Sequence, residues 1–182
     1  VGGTVITAAG ALVGVRPATT LGAIIYLFGA VMTAVPLIAE ARQRGPRSFP
    51  AWSVSAGLTW LLGSLVVFAV ISVAAHDWES MGQAAGRLTA AILVGSVLQI
   101  LLGSLAYLLP VMSGGGPAAV RWRNTRTDTA MATRLVALNL GLLFCVLPTP
   151  SVVRVIASSV VLVAVFTTAG LLLTSMRTPP DP

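Results

Sequence analysis

Lysine is absent from the sequence, and histidine and cysteine each occur once, as His76 and Cys145. A lone cysteine excludes a disulfide framework within the chain. One His and one Cys also fall short of the ligand sets of ordinary zinc and copper centres. Haem iron takes an axial His, Met, Cys or Tyr, and a membrane b-type haem normally takes two helical His. His76 lies outside the apolar runs, so a haem of that kind held by this chain alone is excluded. Only five residues are acidic, and none falls in the middle of an apolar run. Proton pumps and ion-coupled carriers usually need such a carboxylate, which counts against ion-coupled transport. No nucleophile–base pair is recognisable either. Charge as a whole is scarce, at 9% of 182 residues, against about 25% in soluble domains. There is too little polar side chain to build a water-facing shell, and a bilayer removes the need for one.

What the sequence has is apolar length. Hydrophobic residues make up 56% of the chain, and the mean hydropathy is +0.93. A spanning helix takes about 20 apolar residues. Six runs qualify as candidates, near residues 1–15, 20–39, 53–75, 88–109, 130–147 and 152–174. The first is short and closes at Arg16-Pro17. The second closes at Glu40, with Pro36 placed to kink its last turn. Phe49 and Trp52 before the third suit a membrane interface. Pro110 is expected to stop the fourth, and Pro148 and Pro150 the fifth. The runs are too long for barrel strands and lack their alternation. The expected fold is therefore all-α, a polytopic transmembrane bundle of about six helices occupying residues 1–175. The chain starts Val-Gly-Gly and ends Arg-Thr-Pro-Pro-Asp-Pro. Residues 176–182 read as a linker or truncated tail, and both ends read as cut from something longer.

The 11 basic residues are all Arg and give a net charge of +6. They lie in short connections between apolar runs, where orientation signals belong, and do not indicate nucleic-acid binding. Arg42, Arg44, Arg47, Arg121, Arg123, Arg126, Arg134 and Arg177 fall on one side, with Arg134 read as lying at a helix entrance. Arg16, Arg87 and Arg154 fall on the other, where Arg154 is expected to snorkel to the headgroups. The positive-inside rule then places loops 40–52 and 113–130 and the C-terminus in the cytoplasm of a cell-membrane protein, and the loop His76–Arg87 outside.

The fourth run carries Gly95, Gln99, Gly103 and Tyr107 at four-residue spacing, flanked by Ser96, which places them along one helix face. Small residues allow helices to approach closely, and an amide can hydrogen-bond across them. Asn139 in the fifth run is the other amide candidate, placed to pair with Gln99. Packing is the bland reading of this face. The functional reading makes Gln99, Tyr107 and Asn139 a ligand or quinone pocket. The Trp52, Ala56, Trp60, Ser64 and Phe68 stripe reads as packing or interface anchoring. Gly10 and Gly14 form a GxxxG in the first run, a sign of close packing. Gly114-Gly115-Gly116-Pro117 lacks the Gly-Lys-Ser/Thr ending of a P-loop and reads as a turn.

Two stretches resemble a known family. One is Leu98-Gln99-Ile100-Leu101-Leu102-Gly103-Ser104-Leu105-Ala106-Tyr107-Leu108-Leu109-Pro110-Val111, followed by Gly114-Gly115-Gly116-Pro117-Ala118-Ala119-Val120-Arg121. The other is Ser48-Phe49-Pro50-Ala51-Trp52-Ser53, leading into Trp60-Leu61-Leu62-Gly63. They resemble the membrane-embedded N-terminal region of actinobacterial multicopper oxidases and of copper-containing nitrite reductases fused to a transmembrane domain. An origin of that kind fits the use of Arg in place of Lys. In that family a polytopic membrane part precedes extracytoplasmic cupredoxin domains that bind copper, and its upstream helices often carry His. This sequence has no cupredoxin domain and no intramembrane His. No copper ligand or catalytic residue therefore carries over, and copper belongs to a longer protein.

The resemblance implies a membrane anchor, and beyond that an electron-input module served by a quinol or cytochrome donor, for a fused or associated cupredoxin domain. The alternatives are half of a small-molecule transporter or permease, and a structural subunit of a larger membrane complex. Missing midplane carboxylates and the lack of paired broken helices count against the transporter.

Overall fold

Glycine, proline and one left-handed alanine set the helix boundaries in the computed structural model, which describes residues 2–44, 48–114 and 116–176. Several sequence expectations lie outside the described residues: those on Val1, Arg47, Gly115, Arg177 and the 177–182 tail, and those on the side chains of Glu40, Arg42 and Arg44. Helix α1 spans Gly2–Val13 and α2 spans Arg16–Arg44. Between them Gly14 takes φ +76°, a conformation that costs glycine little. Pro17 lies in the first turn of α2, where its missing N–H loses no helical bond. Helix α3 spans Phe49–Ala74, and a short α4 spans Trp78–Gly86. A π-helical stretch over Ala91–Leu98 runs into α5, Gln99–Met112. Helix α6 spans Gly116–Asp128, α7 spans Met131–Val146, and α8 spans Ser151–Ser175. The described residues contain no strand, so the fold is all-α.

Four described segments are long and apolar enough to cross a membrane: Arg16–Leu37, Phe49–Ala74, Ala91–Met112 and Ser151–Ser175. Helices α6 and α7 together supply a fifth if they form one span bent by 44°. Helix α1 is shorter, with 12 residues, about 18 Å of helix against a hydrocarbon core of about 30 Å. Pro110 does not stop its helix: it lies in the last turn of α5, where Val111 and Met112 follow. Helix α2 continues past Pro36 and past the expected close at Glu40 to Arg44. The 113–130 connection is helical over most of its length. Gly114 and Gly116 adopt φ +67° and +76°, which bears out the expected turn there, and Pro117 then opens α6. The break between α6 and α7 is at Ala130, whose φ of 51° interrupts the helix.

The described residues gather into two compact units, Val1–Gly45 with Leu58–Ile92, and Pro46–Gly57 with Leu93–Pro182. In the first, α1 folds back on α2. A Cβ on Gly22 would meet the backbone nitrogen and hydroxyl of Thr7, and one on Gly10 would come within 2.6 Å of the Thr19 nitrogen. Gly14 faces open space, so it serves the turn, and the helix contact is made by Gly10 and Gly22 rather than by a Gly10–Gly14 motif. In the second unit α8 packs on α7, and Phe49, Leu102, Ala106 and Leu172 form the apolar centre. Along α8, Val152, Val155, Ile156, Val163 and Phe166 are exposed, Phe166 by 71%. Such a continuous apolar surface suits lipid and would be a liability in water.

Candidate functional site

The second unit buries a polar cluster, and the small face of the expected fourth helix supplies its centre. Gly95, Ser96, Gln99 and Gly103 are all buried, and Gln99 is 0% exposed. The first turns of α3 approach this face closely. A Cβ on Gly103 would lie 3.0 Å from the Pro50 carbonyl oxygen and 3.1 Å from the Ser53 Cβ. That approach lets the Ser53 hydroxyl donate to the Gln99 carbonyl at 2.7 Å. Gln99 opens α5 where the π-helical stretch ends, and stretches of that kind widen the helix and shift its register.

The structure brings Gln99 and Asn139 together. Gln99 Nε2 donates to Asn139 Oδ1 at 3.0 Å, and Asn139 Nδ2 donates back to Gln99 Oε1 at 3.3 Å. Asn139 Nδ2 also donates to the Leu135 carbonyl at 2.8 Å, on its own helix. The two amides thus meet each other's needs at a site where Gln99 is fully buried and an unmet polar group is costly. Tyr107 does not join them. It is 66% exposed, because eight residues along an α-helix add a rotation of about 80° to whole turns. Within α5 the four-residue spacing holds the buried face from Gln99 to Gly103 and has drifted off it at Tyr107.

Most buried hydroxyls are closed within their own helices. Thr127 donates to the Arg123 carbonyl at 2.7 Å, Thr168 to Ala164 at 2.8 Å, and Ser72 to Phe68 at 2.8 Å. This i−4 bond lets a hydroxyl enter an apolar region without a partner on another helix. Ser53 is an exception in the second unit; in the first, the half-buried Thr20 also reaches another helix, donating to the Ser72 carbonyl on α3 at 3.2 Å.

Sequence reasoning missed the work done by three arginines. Arg134 lies in the first turn of α7, at the helix entrance as expected, and is buried there, 6% exposed. Its guanidinium donates to the carbonyls of Thr127 and, at 2.9 Å, of Thr129, and at 3.3 Å to the Thr168 hydroxyl. It also stacks 4.7 Å over the Phe49 ring, a favourable cation–π arrangement. Arg123, also buried, donates to the Gly114 carbonyl at 2.5 Å and the Pro110 carbonyl at 3.4 Å, at the end of α5. In the first unit Arg16 donates to the Ala75 and His76 carbonyls, just past α3. Each arginine therefore supplies donors to carbonyls left open at a helix C-terminus, where the helix dipole also favours a cation. The available signal was Arg134's place in the apolar run, one turn after it begins. Arg154 does stay exposed, donating to the Thr149 carbonyl at 3.2 Å.

The acids play related parts. Asp128 Oδ1 accepts from the Phe49 backbone N–H at 2.7 Å, joining the start of α3 to the end of α6. Asp77 caps α4 by accepting from the Ser80 backbone N–H at 2.7 Å. That bond holds the Asp77 carboxyl below the usual carboxylate range. Among the described residues no three His, Cys, Asp or Glu side chains come together as a metal site. Comparison with protein-family models, with curated proteins and with solved structures gives no match.

Proposed function

We propose that this chain is a multi-pass membrane domain that anchors a redox domain outside the membrane, in the manner of the copper oxidases and nitrite reductases its sequence resembles. The observation that carries the anchor reading is the closure of the buried Gln99 and the half-buried Asn139 on each other. Gln99 and Asn139 direct their polar groups at neighbouring helices, an arrangement that fixes helix register. Tyr107 lies on the surface, apart from the Gln99–Asn139 pair, and in this reading electron input by a quinol or cytochrome donor falls to the anchored domain. Copper belongs there too. One His and one Cys do not fit a copper centre, and no step is routed through copper in this chain.

The anchored domain lies outside the cell membrane in this reading, with loops 40–52 and 113–130 in the cytoplasm on the strength of the Arg distribution. The experiment that tests it is the intact mass and copper content of the native polypeptide carrying this sequence, purified from its source membrane. The expected result is a chain far heavier than 18.6 kDa with bound copper. A copper-free chain near that mass overturns the proposal and leaves a transporter half or a structural subunit.

A further inference from the structure

We infer that the groove between α7 and α8 binds an anionic phospholipid, with an acyl chain along the groove and the phosphate at its Arg134 end. The two helices run antiparallel, since Arg134 meets Thr168 at one end and Cys145 meets the Arg154 carbonyl at the other. The groove has a volume of about 480 Å³, within the about 300–1,000 Å³ of ordinary ligand sites. Thr133, Arg134 and Thr167 gather at one end; further along, Ile156, Val160 and Val163 line the groove with Ser159, whose hydroxyl is satisfied by the Val155 carbonyl on its own helix. Ile156, Val160 and Val163 are exposed, so the groove opens sideways to the surface that meets lipid. The occupant must therefore be apolar along most of its length and polar at one end.

Charge decides the headgroup. The hydrogen bonds of the Arg134 guanidinium described above all end on uncharged oxygens, and its buried Nε has no hydrogen-bond partner. Asp128 acts on it through space, but its Oδ1 accepts from the Phe49 N–H. A buried cation with a donor to spare is stabilised by an anion. Basic sites between membrane helices are suited to anionic headgroups, whereas a choline headgroup would bring a second cation to Arg134.

The test measures binding of phosphatidylglycerol, phosphatidylcholine and inorganic phosphate to the purified chain in neutral detergent, by native mass spectrometry and by the shift in melting temperature. Phosphatidylglycerol is expected to bind about fivefold tighter than phosphatidylcholine, the effect of one basic residue at a membrane surface. Inorganic phosphate at the same concentration is expected neither to bind nor to compete. Arg134→Gln should equalise the two lipids. Because that change also removes a helix cap, Ser159→Trp decides the matter. Ser159 is an exposed groove residue whose hydroxyl bonds only within α8, so the indole fills the groove and leaves Arg134 in place. Loss of phosphatidylglycerol binding with unchanged helicity supports the assignment. Equal affinity for the two lipids in the parent chain, undiminished binding in Ser159→Trp, or displacement of the lipid by phosphate alone overturns it.

Discussion

Gln99 and Asn139 show how an amide is accommodated away from water. Each supplies what the other lacks, so removing one leaves its partner unmet in an apolar setting. Gln99→Leu is expected to lower stability by about 1 kcal/mol, and the Gln99→Leu, Asn139→Leu double variant to recover part of that loss. Unfolding titrations of the parent, Gln99→Leu, Asn139→Leu and the double variant in mixed detergent give the coupling directly, and additive losses would mean that the pair is not coupled. This pairing was legible because Gln99 and Asn139 are the two amides set within apolar runs. The place of Tyr107 was not, since spacing gives the angle between neighbours and accumulates error with each turn. Nor were the buried arginines, because a guanidinium's partners here are backbone carbonyls, which no residue type announces.

At the scale of the element, the long helices were legible because their apolar runs match the bilayer. Helix α6 was hidden by its polar, Arg-bearing sequence, which shows no apolar period and reads as a loop. The helix contact in the first unit was assigned to Gly10–Gly14, whereas the pairing depends on where the chain reverses, and Gly14 is itself the reversal. The close approach at Gly22 makes a prediction. Gly22→Val should push α1 from α2 and cost about 1–3 kcal/mol, as overpacking does, whereas Gly29→Ala meets open space and should be tolerated. Thermal melts in detergent separate the two, and equal behaviour would contradict the packing described. Helix α4 responds to pH instead. The Asp77 carboxyl is held below its ordinary range by the Ser80 N–H, so its cap is fully present above the unfolded value and lost as pH falls through the folded one. Amide exchange in α4, read relative to the intrinsic rate at each pH, should show constant protection from pH 7 to 5 and a loss only in stronger acid. Asp77→Ala should show the lower protection throughout, and parallel behaviour of the two proteins would exclude the cap.

For the whole molecule the decisive quantity is sidedness. The proposed topology, which follows Arg121, Arg123 and Arg126 on α6, has α6 on the cytoplasmic side and α4 outside, and it is open to a direct test. In a Cys145→Ser background, Gln83→Cys should react with a membrane-impermeant maleimide on intact cells. Thr125→Cys should react only after the cells are opened. The reverse pattern would invert the topology. Both positions are exposed, so failure to react reports the membrane and not burial.

The arginines at the helix ends are read twice. During insertion their charge helps to choose which loops stay behind, before any neighbouring helix exists to receive them. After assembly the guanidiniums of Arg16, Arg123 and Arg134 serve carbonyls at helix C-termini. Moving these three to invert the topology would therefore confuse a targeting defect with a folding defect. Arg121 and Arg126 are exposed on α6, with Arg126 stacked on Trp122, and they are the charges through which direction can be altered while the helix ends stay intact.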